Sequence, residues 1–467
     1  MKKIFILSLA ALALLSACKK DPLTDTTNSF TATIEQSGDK TTLNGYSVEW
    51  VNGDAIIVNG ETLTTNGPTG DNHTQTTFTS ENTVALNGST PNYKAYYPAS
   101  YYHDGAMHLP ATQDYDATTN GISNLPMYAQ SDDHDLVFKN LCGVLAITVN
   151  SSDFTSVSSI DVYSNTWMNG AFTVDASDNY SMTFTGTIAD ANKKVTLSMG
   201  TTPVSITTSQ VFYIAIPAGT HNLIIKVNGN NTSKVMATKA ANGITIVRNK
   251  IYSIAFAENA IQLWANGPYW ATVNVGATIS SYDNVTTYTT ANVGGMYSWG
   301  GTNERRSGTN TDDKNTGTVD LTDANNTATQ LWGSNWRMPD KDQLKALIHG
   351  QGNCTWYWCT GSGSSQYASG CTLTGYKVTG DASAYASNSI FLPAAGYLDG
   401  SEIIRDSFQG YYWSMTKHSE SGHSNDYAYA LHFNHDSHQN YPKEVYAQSH
   451  RYRARCVRAI LNLPNNW

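Results

Sequence analysis

The sequence predicts a mainly β protein, and three observations carry that reading. Only 14% of its 467 residues are charged while 40% are hydrophobic, and Thr, Ser, Asn, Gly and Tyr are abundant; many β-branched, aromatic and turn residues at low charge describe strands closed by tight turns. Short apolar runs, some alternating with polar residues, stand between clusters of Gly, Asn, Asp and Pro. No window between Thr26 and Glu258 holds a sustained helical period. The length suggests about three domains. A net charge of −9 argues against a nucleic-acid partner, because phosphate neutralisation needs a basic face.

The chain opens with Lys2 and Lys3 and an apolar run, Ile4 to Leu15, too short to span a bilayer. Leu15-Ser16-Ala17-Cys18 follows, and this quartet resembles the lipobox of bacterial lipoprotein signals. The resemblance implies a signal peptide over 1–17, cleavage before Cys18, lipidation of the Cys18 thiol and a linker over 18–25. Acyl chains on one residue give a lasting anchor, so the mature chain is expected at the outer membrane, facing the cell surface. No later apolar stretch is long enough to cross a membrane.

Composition changes near residues 257–263. Before that point there is one arginine, Arg248, and two tryptophans, Trp50 and Trp167; after it come eight arginines and nine tryptophans. Two joined modules, each folding alone, are the expectation. In the first, Tyr46, Val48 and Trp50 alternate with Ser47 and Glu49, the period of a half-buried strand. Val144–Val149, Leu223–Val227 and Tyr252–Phe256 read as further strands. Asn52-Gly53-Asp54, Pro217-Ala218-Gly219 and Asn242-Gly243 read as turns. The module is too long for one small sandwich, so two are placed at 26–135 and 136–258.

"VEWVNGDAIIV" (48–58), "YKAYYP" (93–98), "LVFKNLCGVLAITV" (136–149) and "FYIAIPAGTHNLIIKV" (212–227) resemble, in order and spacing, the fimbrillin-like lipoproteins of Bacteroidales. That resemblance implies two transthyretin-like β-sandwiches and partner fimbrial subunits joined by strand exchange. In such subunits a cut after arginine releases the N-terminal strand. Here no arginine precedes Arg248, and only lysines such as Lys19, Lys20 or Lys40 are available.

The second module, 261–467, has one predicted helix. Asp340 is a good N-cap with Gln343 three residues on, Leu344, Leu347 and Ile348 share one face, and Gly350 is a stop. Trp336 and Arg337 are expected to pack on a final strand around Cys456, with Arg337 in a structural role. "WATVNVGA" (270–277), "YSWGG" (297–301), "NWRMPDKDQLKAL" (335–347), "LPAAGYLDG" (392–400), "YYWSMT" (411–416) and "RARCVRAI" (453–460) resemble the Fibrobacter succinogenes major paralogous domain. The resemblance implies a C-type-lectin-like α+β domain related to formylglycine-generating enzymes.

An exported chain meets oxidising chemistry, so Cys354, Cys359, Cys371 and Cys456 are disulfide candidates with three full connectivities open. Cys142 reads as a small core residue. No histidine stands at a metal-ligand interval from Cys354 or Cys359, His432 and His435 read as exposed loop residues, and neither a metal nor a cofactor is assigned. The calcium-binding triplets of C-type lectins are absent, as is the late cysteine pair of the oxidase. Trp356, Tyr357, Trp358, Tyr411 and Tyr412 therefore become the candidate ligand-binding residues, as flat aromatic surfaces for a sugar or a protein. The expectation is a fimbrial-type surface lipoprotein, a minor or tip subunit that adheres to host or bacterial glycan or protein. A non-polymerising glycan-binding lipoprotein is the alternative, and a formylglycine-generating-type enzyme the third reading.

Overall fold

The computed structural model describes residues 27–35, 48–70, 73–88, 90–117, 121–122, 124–308, 310–348, 352–361, 366–418, 426–435 and 443–463. Cys18, the signal peptide and Lys19, Lys20 and Lys40 lie outside these residues. The fold is mainly β, as the composition predicts. Two compact units divide it: 27–35, 48–100 and 128–138 form one, and 101–127 with 139–463 the other.

The first unit closes on itself. Its strands run in the order Thr27–Ile34, Asp135–Asn140, Met127–Ser131, Tyr93–Tyr97, Ala55–Val58, Glu61–Thr64 and Gln75–Val84, and the last pairs again with the first. The expected first sandwich is thus a closed barrel, in which no sheet edge stays unpaired around the ring. Phe30, Ala32 and Ile34 point inward from the first strand. That strand runs parallel to Asp135–Phe138 on one side and antiparallel to Gln75–Val84 on the other.

The strand predicted around Trp50 is not there. Val48–Trp50 is not part of a strand, although the Trp50 N–H donates to the His73 carbonyl at 2.8 Å, and Tyr46 and Ser47 lie outside the described residues. Trp50 is buried all the same, its ring edge-on to Phe78, Tyr97 and Phe138 at 5.0, 5.2 and 5.4 Å. The alternation reported burial of an aromatic plug, which needs no ladder hydrogen bonds. Asn52-Gly53 makes the predicted turn, with Gly53 at φ 88, and the Asp54 carboxylate accepts the Val51 N–H at 2.8 Å.

The second unit begins earlier than the 135/136 boundary suggested. Segment 101–127 leaves the barrel and supplies strands to the second sandwich: Ala106–Leu109 pairs with Gly170–Asp175, and Thr112–Asp116 with Lys194–Ser198. One layer of that sandwich is Cys142–Asn150 between Ser209–Pro217 and Ile251–Ala255. The apolar run 142–149 fills it, with Cys142, Leu145, Ile147 and Val149 fully buried. The predicted strands at 223–227 and 252–256 appear as Ile224–Gly229 and Ile251–Ala255.

The composition boundary at 257–263 is not a break in the fold. An 11-stranded sheet runs through it: Ser156–Tyr163, Ile224–Gly229, Ser233–Ala237, Ala260–Gln262, Tyr269–Ala271, Ile460–Leu461 and Trp336–Arg337 are successive neighbours. The core is also shared, since Tyr163, Ile224, Val235 and Ala237 belong to the same apolar cluster as Trp270, Trp299, Trp336 and Trp413. Trp336 donates its indole N–H to the Thr238 carbonyl at 3.0 Å, and the Asn335 amide reaches the Leu223 carbonyl at 2.9 Å. The Lys239 ammonium sits 4.1 Å from the Trp332 ring, a cation–π contact. Burial lowers the Lys239 pKa to about 8.

The predicted helix is Lys341–Leu347. Asp340 accepts the Gln343 N–H at 2.7 Å and Gln343 accepts the Asp340 N–H at 3.0 Å, a complete capping box. Leu344 and Leu347 are buried. The helix stops with Ile348 extended, and Gly350 lies outside the described residues. Two short helices that the sequence reading missed, Thr290–Val293 and Thr327–Trp332, each end at a glycine with positive φ. Beyond them, Cys354–Cys359, Gly375–Gly380 and Ser389–Pro393 form a three-stranded meander. A five-stranded sheet follows, in the order Glu402–Asp406, Ala395–Asp399, Gln409–Lys417, Tyr427–Asn434 and Lys443–His450.

Candidate ligand-binding face

Burial splits the five aromatic candidates into two groups, with Trp358 on the same strand face as Trp356 but nearer its edge. Trp356 and Tyr412 point inward. Trp356 donates its indole N–H to the Leu347 carbonyl and meets Tyr376 and Phe433 edge-on. Tyr412 is 1% exposed and donates its hydroxyl to the Pro393 carbonyl at 2.8 Å. Both are core residues, a correction to their assignment as ligand contacts: each lies on the face of its strand that packs on Phe433.

Tyr357, Trp358 and Tyr411 remain at the surface. Tyr357 is 57% exposed and stands across from Lys377. Trp358 is half-buried, stacked on the His435 imidazole at 4.6 Å and 16°, with Tyr376 edge-on at 5.0 Å. Tyr411 is half-buried and more tightly held. The His432 ring lies on it at 4.5 Å and 17°, the Arg455 guanidinium sits 4.8 Å from its centre, and its hydroxyl donates to Gln409.

A continuous line of contacts joins the two stretches that the sequence kept apart. The His435 N–H donates to the Phe408 carbonyl at 3.3 Å, and Phe408 is 68% exposed. Gln409, its neighbour, accepts from Tyr411 and lies 3.3 Å from the His432 Nε2. The other imidazole nitrogen faces the Glu444 carboxylate at 3.4 Å. Beside this line, Arg455 touches the rings of Tyr397, Tyr411 and Trp413, and burial lowers its pKa to about 10. Arg453 pairs with Asp399 at 2.8 Å.

This rim combines flat aromatic faces with an amide, two imidazoles and a carboxylate. Such a surface stacks on the C–H face of a sugar or on an apolar side chain, and hydrogen-bonds the polar groups around it. Sequence reasoning missed Phe408, Gln409 and Glu444. Phe408 follows Ser407, whose φ is 65; Asp406-Ser407 is a turn signal, but nothing local says that the turn exposes Phe408.

The cysteines do not form the expected staples. Cys354, Cys359, Cys371 and Cys456, like Cys142, are buried thiols. Cys354 and Cys359 end one six-residue strand, which holds them roughly 16 Å apart, beyond the reach of a disulfide. The Cys456 sulfur lies 3.7 Å from the Arg306 guanidinium, yet burial outweighs that charge and raises its pKa. It is therefore not poised as a thiolate, the form nucleophilic chemistry requires.

No protein-family model and no curated protein matches the chain. Among solved structures, it is similar to a candidate cell adhesion protein from Bacteroides uniformis at 17% identity, covering 49% of this chain and 92% of that one with a TM-score of 0.29. A candidate cell adhesion protein from Bacteroides ovatus matches at 10% identity, 50% and 93% coverage and a TM-score of 0.31. One from Bacteroides eggerthii matches at 14% identity, 50% and 87% coverage and a TM-score of 0.24. At these scores the likeness is too loose to carry an argument about function.

Proposed function

We propose that the chain is a fimbrial-type surface lipoprotein, anchored through Cys18, that adheres to a glycan or protein ligand through the rim of its C-terminal module. The carrying observation is the run of contacts from Trp358 through His435, Phe408 and Gln409 to Tyr411. It gathers exposed aromatic area and hydrogen-bonding groups on one rigid base. The Leu15–Cys18 lipobox supports the anchor, and the four fimbrillin-like segments support the fimbrial assignment.

The test is a glycan and matrix-protein array probed with the mature chain and with Tyr357→Ala, Trp358→Ala and Phe408→Ala. Binding hot spots are aromatic and cost at least about 2 kcal/mol on truncation, so the combined variant should lose roughly thirtyfold or more in affinity. The melting temperature should hold. Variants that bind like the parent would remove this face from the account. For the anchor, metabolic labelling with a fatty-acid analogue should mark the wild type and not Cys18→Ala; equal labelling would reject lipidation there.

A second reading, a lipoprotein that stands alone, is favoured by the barrel: the chain's own Thr27–Ile34 already completes it on both sides. Shearing filaments from cells separates the readings. A tip or minor subunit travels with the filament fraction, and a free lipoprotein stays with the cells.

A further inference from the structure

The second unit carries a group of metal-type ligands that lies outside the proposed adhesive rim. Tyr102–His103 and Ala106–Leu109 are antiparallel, with Tyr102 opposite Met107 and His103 opposite Ala106. The two residues between them, Asp104 and Gly105, have φ 54 and 78, the double positive φ of a two-residue hairpin turn. Asp is one of the few side chains that tolerates that conformation, and it projects from the tip.

His108 is two residues beyond Ala106 on the same face, so it is the diagonal neighbour of His103. The small Ala106 leaves room for the imidazoles to meet, and their rings lie 3.6 Å apart at 19°. The Asp104 carboxylate is 3.2 Å from the His103 Nδ1. One ligand atom from each of the three residues falls within 4.8 Å of the others.

We propose that His103, Asp104 and His108 form a binding site for a divalent transition metal of the zinc, copper and nickel class. Two imidazoles and one carboxylate match those ions. Calcium and magnesium are disfavoured, because they take six or more oxygens, and this hairpin offers one carboxylate. Ligand atoms around tetrahedral zinc stand roughly 3.3 Å apart, so the group must contract. It has the freedom to do so, since the side chains of His103 and Asp104 are 54% and 90% exposed. The base is fixed: Met107 and Leu109 are buried, and His108 sits in register with Ala171 of the next strand. Three protein ligands leave the fourth position of a tetrahedral ion open to water or to a donor from a partner.

Untagged, chelator-treated mature chain titrated with zinc chloride should bind one ion per chain by calorimetry and native mass spectrometry. Cobalt(II) should bind at the same stoichiometry and show the visible absorption of a tetrahedral site. His103→Ala and His108→Ala should each abolish this binding, and Asp104→Asn should weaken it by about tenfold or more, as losing one ligand or orienting group does in metal sites. His73→Ala, an exposed imidazole on the barrel, should change nothing. Metal-free melting curves matching the parent would show that the hairpin variants fold. The proposal fails if zinc does not bind at micromolar concentration, or if the stoichiometry survives in the His103→Ala/His108→Ala double variant.

Discussion

Arg458 shows how the second module uses its many arginines. It is 1% exposed, and its guanidinium donates to the Asn274 side chain and to the carbonyls of Ala271, Thr272 and Phe391. Composition singled the arginines out as a change of character; Arg305, Arg306, Arg451 and Arg455 are buried as well, and a planar fork of five donors can satisfy several loop carbonyls at once. Arg458→Met would leave those acceptors buried without donors. Each unsatisfied group costs about 1–3 kcal/mol, so urea unfolding should report a loss of at least about 3 kcal/mol. Glu258 gives the opposite case. Burial raises its pKa to about 7, with the Lys234 charge opposing and Asp153 adding to the shift. A carboxyl whose folded pKa lies above its unfolded value of 4.5 binds more protons in the native state, so stability falls as pH rises from about 4.5 to about 7. Glu258→Gln should therefore stabilise the chain at pH 8 and have little effect at pH 4, as melting temperatures at the two values would show. Neither role is legible from the sequence, since burial of a particular side chain depends on partners distant in the chain.

At the scale of elements, local signals were legible where the element satisfies its own backbone. The Asp340–Gln343 capping box is one, and both of its bonds form. Asp340→Ala should cost about 1 kcal/mol, within the range for losing an N-cap side chain, and a urea titration would read it; no change would mean that the helix is held by Leu344 and Leu347 alone. The strand at Cys142–Asn150 was legible for a different reason: buried between Ser209–Pro217 and Ile251–Ala255, it reads as a continuous apolar run. Trp50 was not, because a plug and a strand leave the same alternating trace. The aromatic candidates failed in a related way. Alternation said that one of each neighbouring pair faces inward, which is true of Trp356 against Tyr357 and of Tyr411 against Tyr412, but it cannot say which. Gly410 carries that information in the structure: a Cβ there would fall 2.0 Å from the Phe433 ring. Gly410→Ala should therefore destabilise by overpacking, about 1–3 kcal/mol, and a melting temperature equal to the parent's would contradict the packing described.

For the whole molecule, the sequence located a real change near residue 260 and misjudged its meaning. Tryptophan and arginine become frequent there because the core changes its building material, with Trp270, Trp299, Trp336 and Trp413 fully buried. The backbone ladder continues regardless, from Ser233–Ala237 through Ala260–Gln262 to Tyr269–Ala271 and Ile460–Leu461. Composition reports residues one at a time and carries no trace of a ladder between segments almost two hundred positions apart. One continuous sheet and core therefore run from the second sandwich to the C-terminal module, which carries the proposed binding rim. Native-state hydrogen exchange of the intact mature chain in rising denaturant tests this most directly, because amides that open together share one opening free energy. The account predicts that the amides of Val235, Ala237, Ala271, Arg455 and Ile460 merge into a single opening. Protection lost from residues after 261 while the sandwich strands stay protected would contradict it, and would return the boundary to residue 260.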